Sequence, residues 1–297
     1  MKKKLLCFII PYFGQLPTNI RIWMKTCAYN PAYNFLIFTD DTSEYYHPGN
    51  VKVIRCSFAD IQSRIKDIFD FSIALDHPKK LCDFKHAYGY IFEDELKEFK
   101  FWGYCDLDQY FGNLEKFIPE AYLEEYDKIF SLGHMTIYRN TPQINRLFME
   151  TYKQSDKKII TYRDIFSSEK NFLFDEWPVE TVNINVLAEQ QRIRICYDWP
   201  MFDVLPYRSV FEGSVYNAQN RKWGTSDDRN TVFVWKEGRL FAYKLVRDVV
   251  VKREILYVHI QKRKLRIADL DKITNQFIIY PNKIKSIDCT SDFDLVK

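Results

Sequence analysis

Apolar residues along the chain fall into short unbroken runs that alternate with stretches of helical spacing. Leu5–Ile10 is continuous and apolar, the pattern of a strand buried on both faces. Pro11-Tyr12-Phe13-Gly14 then signals a loop. From Ile20 to Ala28 the residues Ile20, Trp23, Met24 and Cys27 share one helical face. Asn34–Thr39 predicts a second strand, closed by Asp40-Asp41, and Val51–Arg55 a third. Ala59–Phe71 places Ile61, Ile65, Ile68 and Phe69 at helical spacing.

Pro78 opens the next predicted helix, where Leu81, Phe84, Tyr88, Ile91, Phe92 and Leu96 recur at steps of three and four. It leads into an apolar strand starting at Phe101. A helix near Leu114–Ile118, strands at Lys128–Leu132 and Met135–Tyr138, and a helix capped by Thr141 and led by Pro142 follow. Residues 153–175 and 198–230 lack a clean period and predict loops, separated by a helix from Asp175 to Gln190 and a strand at Arg192–Cys196. Thr231–Lys236 and Arg239–Leu245 predict a hairpin turning at Glu237-Gly238. Ile255–Gln261 and Phe277–Tyr280 complete the strands. The alternation predicts an α/β fold of Rossmann-like type. With no Gly/Ser/Pro-rich linker, one domain with a C-terminal strand-containing elaboration is expected across the 297 residues.

Composition changes this picture in three places. The net charge is +3, but residues 236–297 hold 14 Lys and Arg against 8 Asp and Glu. That basic part favours anionic partners, phosphates or a lipid headgroup surface, though it also suits a solvated face. No like-charge block is long enough for a nucleic-acid arm. The seven cysteines form no CxxC pair, which suits buried thiols in a reducing compartment. The apolar run after Met1-Lys-Lys-Lys is six residues long, too short for a signal peptide core, and no segment reaches membrane-spanning length. A cytoplasmic protein is expected, with peripheral membrane contact through the basic part.

The candidate chemistry centres on Asp106-Leu-Asp108, which closes the apolar run Phe101–Cys105. On extended backbone, side chains at i and i+2 point the same way, so two carboxylates converge where a strand ends. Hard oxygen ligands of this kind suit a divalent cation that also binds phosphate; a turn or helix cap is the blander alternative. His259, followed by Lys262 and Arg263, closes a second apolar run. An imidazole can ligate the same metal, and the two cations can neutralise diphosphate oxygens. Asp175 and Glu176 stand where a loop enters a helix and offer a general base, although helix starts favour acids anyway. Lys85 could meet a phosphate, Asp83 a base or sugar hydroxyl, and His134 a substrate hydroxyl. Pro11, Tyr12, Gly14 and Asp40 end the first two strands, where α/β folds bind ligands. No P-loop, dinucleotide-binding or nucleophile-elbow motif occurs.

Taken in order, Ile9-Ile-Pro-Tyr-Phe-Gly14, Phe38-Thr-Asp-Asp41, Phe101-Trp-Gly-Tyr-Cys-Asp-Leu-Asp108, Gly133-His134 with Tyr138-Arg-Asn140, Asp175-Glu176 and His259-Ile-Gln-Lys-Arg263 resemble bacterial GT-A-fold glycosyltransferases of capsule and lipopolysaccharide gene clusters. The resemblance covers about residues 5–265. It implies a GT-A-like domain with a nucleotide-sugar half at 1–110, an acceptor half at 111–265 and an extension at 266–297. It further implies a nucleotide-sugar donor, often a UDP-sugar, a glycan or lipid-linked oligosaccharide acceptor, and Mn²⁺ or Mg²⁺ on the Asp-x-Asp loop. By this resemblance Asp108 is the firmer metal ligand, Asp106 reaches ribose and metal, and His259 is a third protein ligand. Two rivals differ in what they require. A sugar nucleotidyltransferase would carry a basic, glycine-rich loop after the first strand, and Pro11–Gly14 lacks the basic residues. A non-catalytic glycan-binding module would use the aromatics for stacking and would not need the acidic loop and His259 to meet.

Overall fold

The computed structural model describes residues 3–151, 160–172, 174, 183–197, 201–205, 210–217, 222–263, 265–267 and 275–287. Among these the first strands are β1 (Lys4–Pro11), β2 (Tyr33–Thr39), β3 (Val51–Arg55) and β4 (Phe99–Cys105). Next come β5 (Gln109–Phe111), β6 (Lys128–Leu132), β7 (Met135–Arg139), β8 (Ile195–Cys196) and β9 (Phe202–Val204). β10 (Glu212–Asn217), β11 (Lys222–Asp227), β12 (Thr231–Lys236), β13 (Arg239–Val246) and β14 (Val249–Ile255) follow. The last are β15 (Tyr257–His259), β16 (Arg266–Ile267), β17 (Gln276–Tyr280) and β18 (Lys283–Ser286). The fold is mixed α/β. The chain forms two compact units that interleave in sequence: Met1–Leu16, Ala32–Asp106 and Ile118–Asp198 make the first, and Pro17–Pro31, Leu107–Phe117 and Trp199–Lys297 the second. Their boundaries do not coincide with the partition at 110 and 265 expected from the sequence.

The first unit is built on a sheet of order β3-β2-β1-β4-β7-β6-β8. Strands β3, β2, β1 and β4 are parallel, β7 is antiparallel to β4, and β6 is antiparallel to β7. Leu6–Ile10 is buried throughout, as its unbroken apolar run requires of a central strand. After β3 the chain returns to the other side of β1 to form β4. The strand order therefore reverses at β1, and the crevice beyond the ends of β1 and β4 is where such sheets bind ligands. The helix Phe58–Ile68 starts at a capping box in which Ser57 and Asp60 satisfy each other's backbone N–H. It buries Ile61 and Ile65.

The helix expected from Pro78 is wound as a 3₁₀ helix over Pro78–Ala87, followed by single turns at Tyr88–Ile91 and Glu93–Leu96. Side chains three apart eclipse in 3₁₀ winding, and here that brings buried Lys80 to 2.8 Å from buried Asp83. In β6 the register slips between Ile129 and Leu132, and Phe130 takes φ +70°. Such a bulge leaves backbone groups unpaired. Buried Lys128 fills one gap, donating to Phe130 O and to Asn185 Oδ1 at 2.7 Å.

The second unit holds two sheets, of order β11-β10-β9-β15-β5 and β14-β13-β12-β17-β18-β16. Its core joins Ile22, Tyr110, Val204, Phe233, Trp235, Leu240, Ile255 and Phe277. The β12–β13 hairpin turns where expected, with Glu237 and Gly238 both at positive φ, the conformation of a tight hairpin turn. The expected loop at 198–230 instead contains β9, β10 and β11. Gly, Ser, Thr and Asn in the last two mute their strand pattern, while their backbones pair in regular register. No helix among the described residues is long and apolar enough to cross a membrane.

One glycine tests the packing of the central sheet. A Cβ on Gly103 in β4 would lie 2.5 Å from Thr136 O, a backbone atom that cannot swing aside. Gly103→Ala is expected to destabilise the protein by about 1–3 kcal/mol, measured by urea unfolding.

Candidate metal centre

The acidic loop enters the second unit as β5. β5 pairs antiparallel with β15, with Gln109 opposite His259. β15 pairs parallel with β9, with His259 opposite Asp203. Residues directly opposite one another share a sheet face, so Gln109, His259 and Asp203 form a polar row across three strands. All three are buried.

Asp108 sits in the turn before β5 and is gripped by the end of β15. Its carbonyl accepts from Ile260 N–H at 3.0 Å, and its Oδ2 accepts from Lys262 N–H at 2.8 Å. This return of the chain requires left-handed backbone at two consecutive non-glycine residues, Gln261 (φ +40°) and Lys262 (φ +50°). L-residues adopt that conformation at an energetic cost.

The imidazole of His259 is fixed from both sides. Nδ1 lies 2.7 Å from Asp203 Oδ1, which also accepts from Gln261 Nε2 at 2.7 Å. Nε2 faces Asp108 Oδ1 at 3.2 Å. Among the described residues, buried Asp108 Oδ1 has no hydrogen bond of good geometry, and its close polar contact is this imidazole nitrogen. Two ligand atoms at right angles on a cation, with bonds of about 2.1 Å, stand about 3 Å apart. The carboxylate oxygen and imidazole nitrogen thus have the chemistry and spacing of adjacent metal ligands. Asp203 would hold the Nδ1–H tautomer, in which Nε2 carries the lone pair that can ligate.

Without a cation, the same atoms form an ion pair. Burial works against a charged imidazole, but the Asp108 and Asp203 carboxylates outweigh it and lift His259 from 6.5 to about 10. Burial also works against the Asp108 carboxylate. The His259 charge and the Lys262 N–H overcome it and hold Asp108 well below the ordinary carboxylate range.

In the first unit, the ends of β1 and β2 are tied to each other. Tyr12 N–H donates to Phe38 O at 2.8 Å just after Pro11, and Gly14, at φ +90°, donates its N–H to Asp40 Oδ1 at 2.7 Å. Asp41 accepts from the N–H groups of Leu16 and Ser43, so it serves the turn. A cleft of about 510 Å³ opens there, lined by Thr39, Asp40, Thr42, Arg55, Cys56 and Ser57. Asp106, at the end of β4, pairs with Lys85 at 3.1 Å, and Lys85 also donates to Gly133 O at 2.6 Å. Asp106 N–H donates to the carbonyl of buried His134 at 3.0 Å. Asp83 does not face solvent. It is paired with Lys80 and accepts from Phe172 N–H, so it organises the chain internally.

Lys262 lies on the exposed turn. Arg263 is committed elsewhere in the second unit: its guanidinium donates to the carbonyls of Leu205, Val210 and Pro281. Asp175 and Glu176 lie outside the described residues. Asp203 and Gln261 were absent from the sequence-derived site. The available signal for Asp203 was a lone carboxylate inside the apolar run Met201-Phe-Asp-Val-Leu205.

Comparison with known proteins finds that a family model described as "Family of unknown function (DUF6625)" matches residues 8–288. No curated protein matches the chain.

The ion pair has a defined pH signature. Because folding raises the His259 pKa, its stabilisation is complete below about pH 6.5 and is lost as pH rises through about 10. The stability difference between wild type and His259→Gln, measured by urea unfolding in EDTA, is expected to shrink across that window. Taking the difference cancels the opposite contribution of buried Lys128, whose pKa burial lowers to about 7.

Proposed function

The chain belongs to the DUF6625 family, and we propose that it is a metal-dependent glycosyltransferase of GT-A type that moves a sugar from a nucleotide-sugar, a UDP-sugar by preference, to a glycan or lipid-linked acceptor in bacterial surface polysaccharide synthesis. The observation that carries this is buried Asp108 Oδ1, which among the described residues has no well-formed hydrogen bond and lies 3.2 Å from a histidine nitrogen whose partner nitrogen is held by Asp203. It favours an enzyme over a glycan-binding module, which does not need that convergence.

Asp108 and His259 would hold Mn²⁺ or Mg²⁺, with Asp106 of the same Asp-x-Asp motif as the further ligand that the resemblance implies. When bound, the cation would neutralise the diphosphate of the leaving nucleotide. Asp203 orients the imidazole and keeps the proton on Nδ1. Lys262, on the exposed turn, would add positive charge for phosphate oxygens. In the first unit, Pro11, Tyr12, Gly14 and Asp40 at the ends of β1 and β2 are the candidates for the nucleoside. If the anomeric centre inverts, Asp175 or Glu176 would take the acceptor hydroxyl proton. If it is retained, the leaving phosphate could accept that proton instead. The activity would lie in the cytoplasm, with peripheral contact at the inner membrane face through the basic C-terminal part.

A screen of nucleotide-sugars for Mn²⁺-dependent hydrolysis or thermal shift tests this. A hit with at least one nucleotide-sugar is expected, and Asp108→Ala is expected to abolish it. If no nucleotide or nucleotide-sugar binds, or Asp108→Ala binds as wild type does, the proposal fails. Asp203→Asn retains both ligands but loses the carboxylate behind the imidazole. Its Mn²⁺ affinity is expected to fall about 10–100-fold by titration calorimetry.

A further inference from the structure

Gln109 is fully buried, yet among the described residues neither Nε2 nor Oε1 of its amide has a protein hydrogen-bond partner. A buried amide unpaired at both ends is rare in folded proteins, because each group forfeits its bonds to water. Its position is equally unusual. It follows Asp108 directly in the chain, and it stands opposite His259 in the β5–β15 ladder. Asp203 occupies the equivalent place on the other side of His259. The imidazole is therefore flanked on one sheet face by a carboxylate whose Oδ1 meets both the ring and Gln261, and by an amide with no partner among the described residues.

We propose that Gln109 is a positioning residue of the cation site, its amide hydrogen-bonding a water molecule in the cation's coordination shell. This rests on Asp108 and His259 being cation ligands. Divalent cations of the hard class complete their shells with oxygen ligands, and waters are the usual ones. A cation-bound water has one lone pair engaged by the metal and is a strengthened donor, so the open Oε1 is its natural acceptor. The open Nε2 can donate to a second oxygen of the same shell. An apolar side chain would suit β5 equally well, since the rest of the strand, Tyr110 and Phe111, is apolar and buried. The amide gains a role only when oxygen ligands are present. Binding is thus completed from three adjacent strands: β15 supplies the imidazole, β9 its tautomer, and β5 the hold on the water.

The test compares wild type, Gln109→Leu and Gln109→Glu by Mn²⁺ titration calorimetry and by thermal melting in EDTA. Gln109→Leu is expected to weaken Mn²⁺ binding about tenfold or more. It should leave the metal-free Tm unchanged or raised, because the lost amide had no partner there. Gln109→Glu keeps an acceptor oxygen and is expected to bind Mn²⁺ at least as tightly as wild type. If Gln109→Leu lowers the metal-free Tm and binds Mn²⁺ like wild type, Gln109 is structural and the inference is overturned. If wild type itself binds no Mn²⁺, the ligand assignment of Asp108 and His259 falls, and this inference falls with it. Wild-type binding with no change in Gln109→Leu overturns this inference alone.

Discussion

The candidate centre depends on one constraint: an imidazole buried in a β-sheet must have its charge or its lone pair answered. Burying an ionised group is costly unless partners surround it. Here two carboxylates do so, one on each nitrogen of His259. The arrangement explains several otherwise separate features. The strained turn at Gln261 and Lys262 brings a backbone N–H back to Asp108. Gln261 shares the Asp203 oxygen that holds the imidazole. Each of these contacts keeps the carboxylates in place around the ring.

The frame of the first unit was readable because its strands are continuous apolar runs and its helices carry clear caps. Leu5–Ile10 has no polar residue to hide its burial, and Thr141 with Pro142 marks a helix start. The second unit was readable only in part. β12, β13 and β17 are rich in Val, Phe, Trp, Tyr and Ile, and their hairpin turn carries a glycine. β10 and β11 are stabilised by backbone pairing that polar residues permit but do not announce. The winding of Pro78–Ala87 was missed because apolar spacing of three and four suits both helix types, and the buried Lys80–Asp83 pair is a tertiary fact.

The site was half legible. Asp108 and His259 were found because each closes an apolar strand, and the structure brings them together. Asp203 was not found, since a single acid in a loop-like region carries no spacing signal; only the parallel pairing of β9 with β15 gives it meaning. Arg263 shows the reverse failure. A cation beside a ligand looks functional in sequence, but its guanidinium spends its donors on carbonyls. Asp106 and Asp108 are one residue apart and yet have different partners, Lys85 for the first and His259 for the second. A motif of two like residues thus conceals two unlike environments.

The interleaving of the two units has a consequence for how the protein is made. The second unit needs residues 17–31 and 107–117, but its sheets cannot close until β9 to β18 have been synthesised. A nascent chain emerging from the ribosome carries Asp108 some 150 residues before its partner histidine. During that interval β5 has no strand to pair with and the carboxylate has no counter-charge. Such long-range pairing is slow to form. The centre is therefore a late product of translation, and an incomplete chain has no means of assembling it.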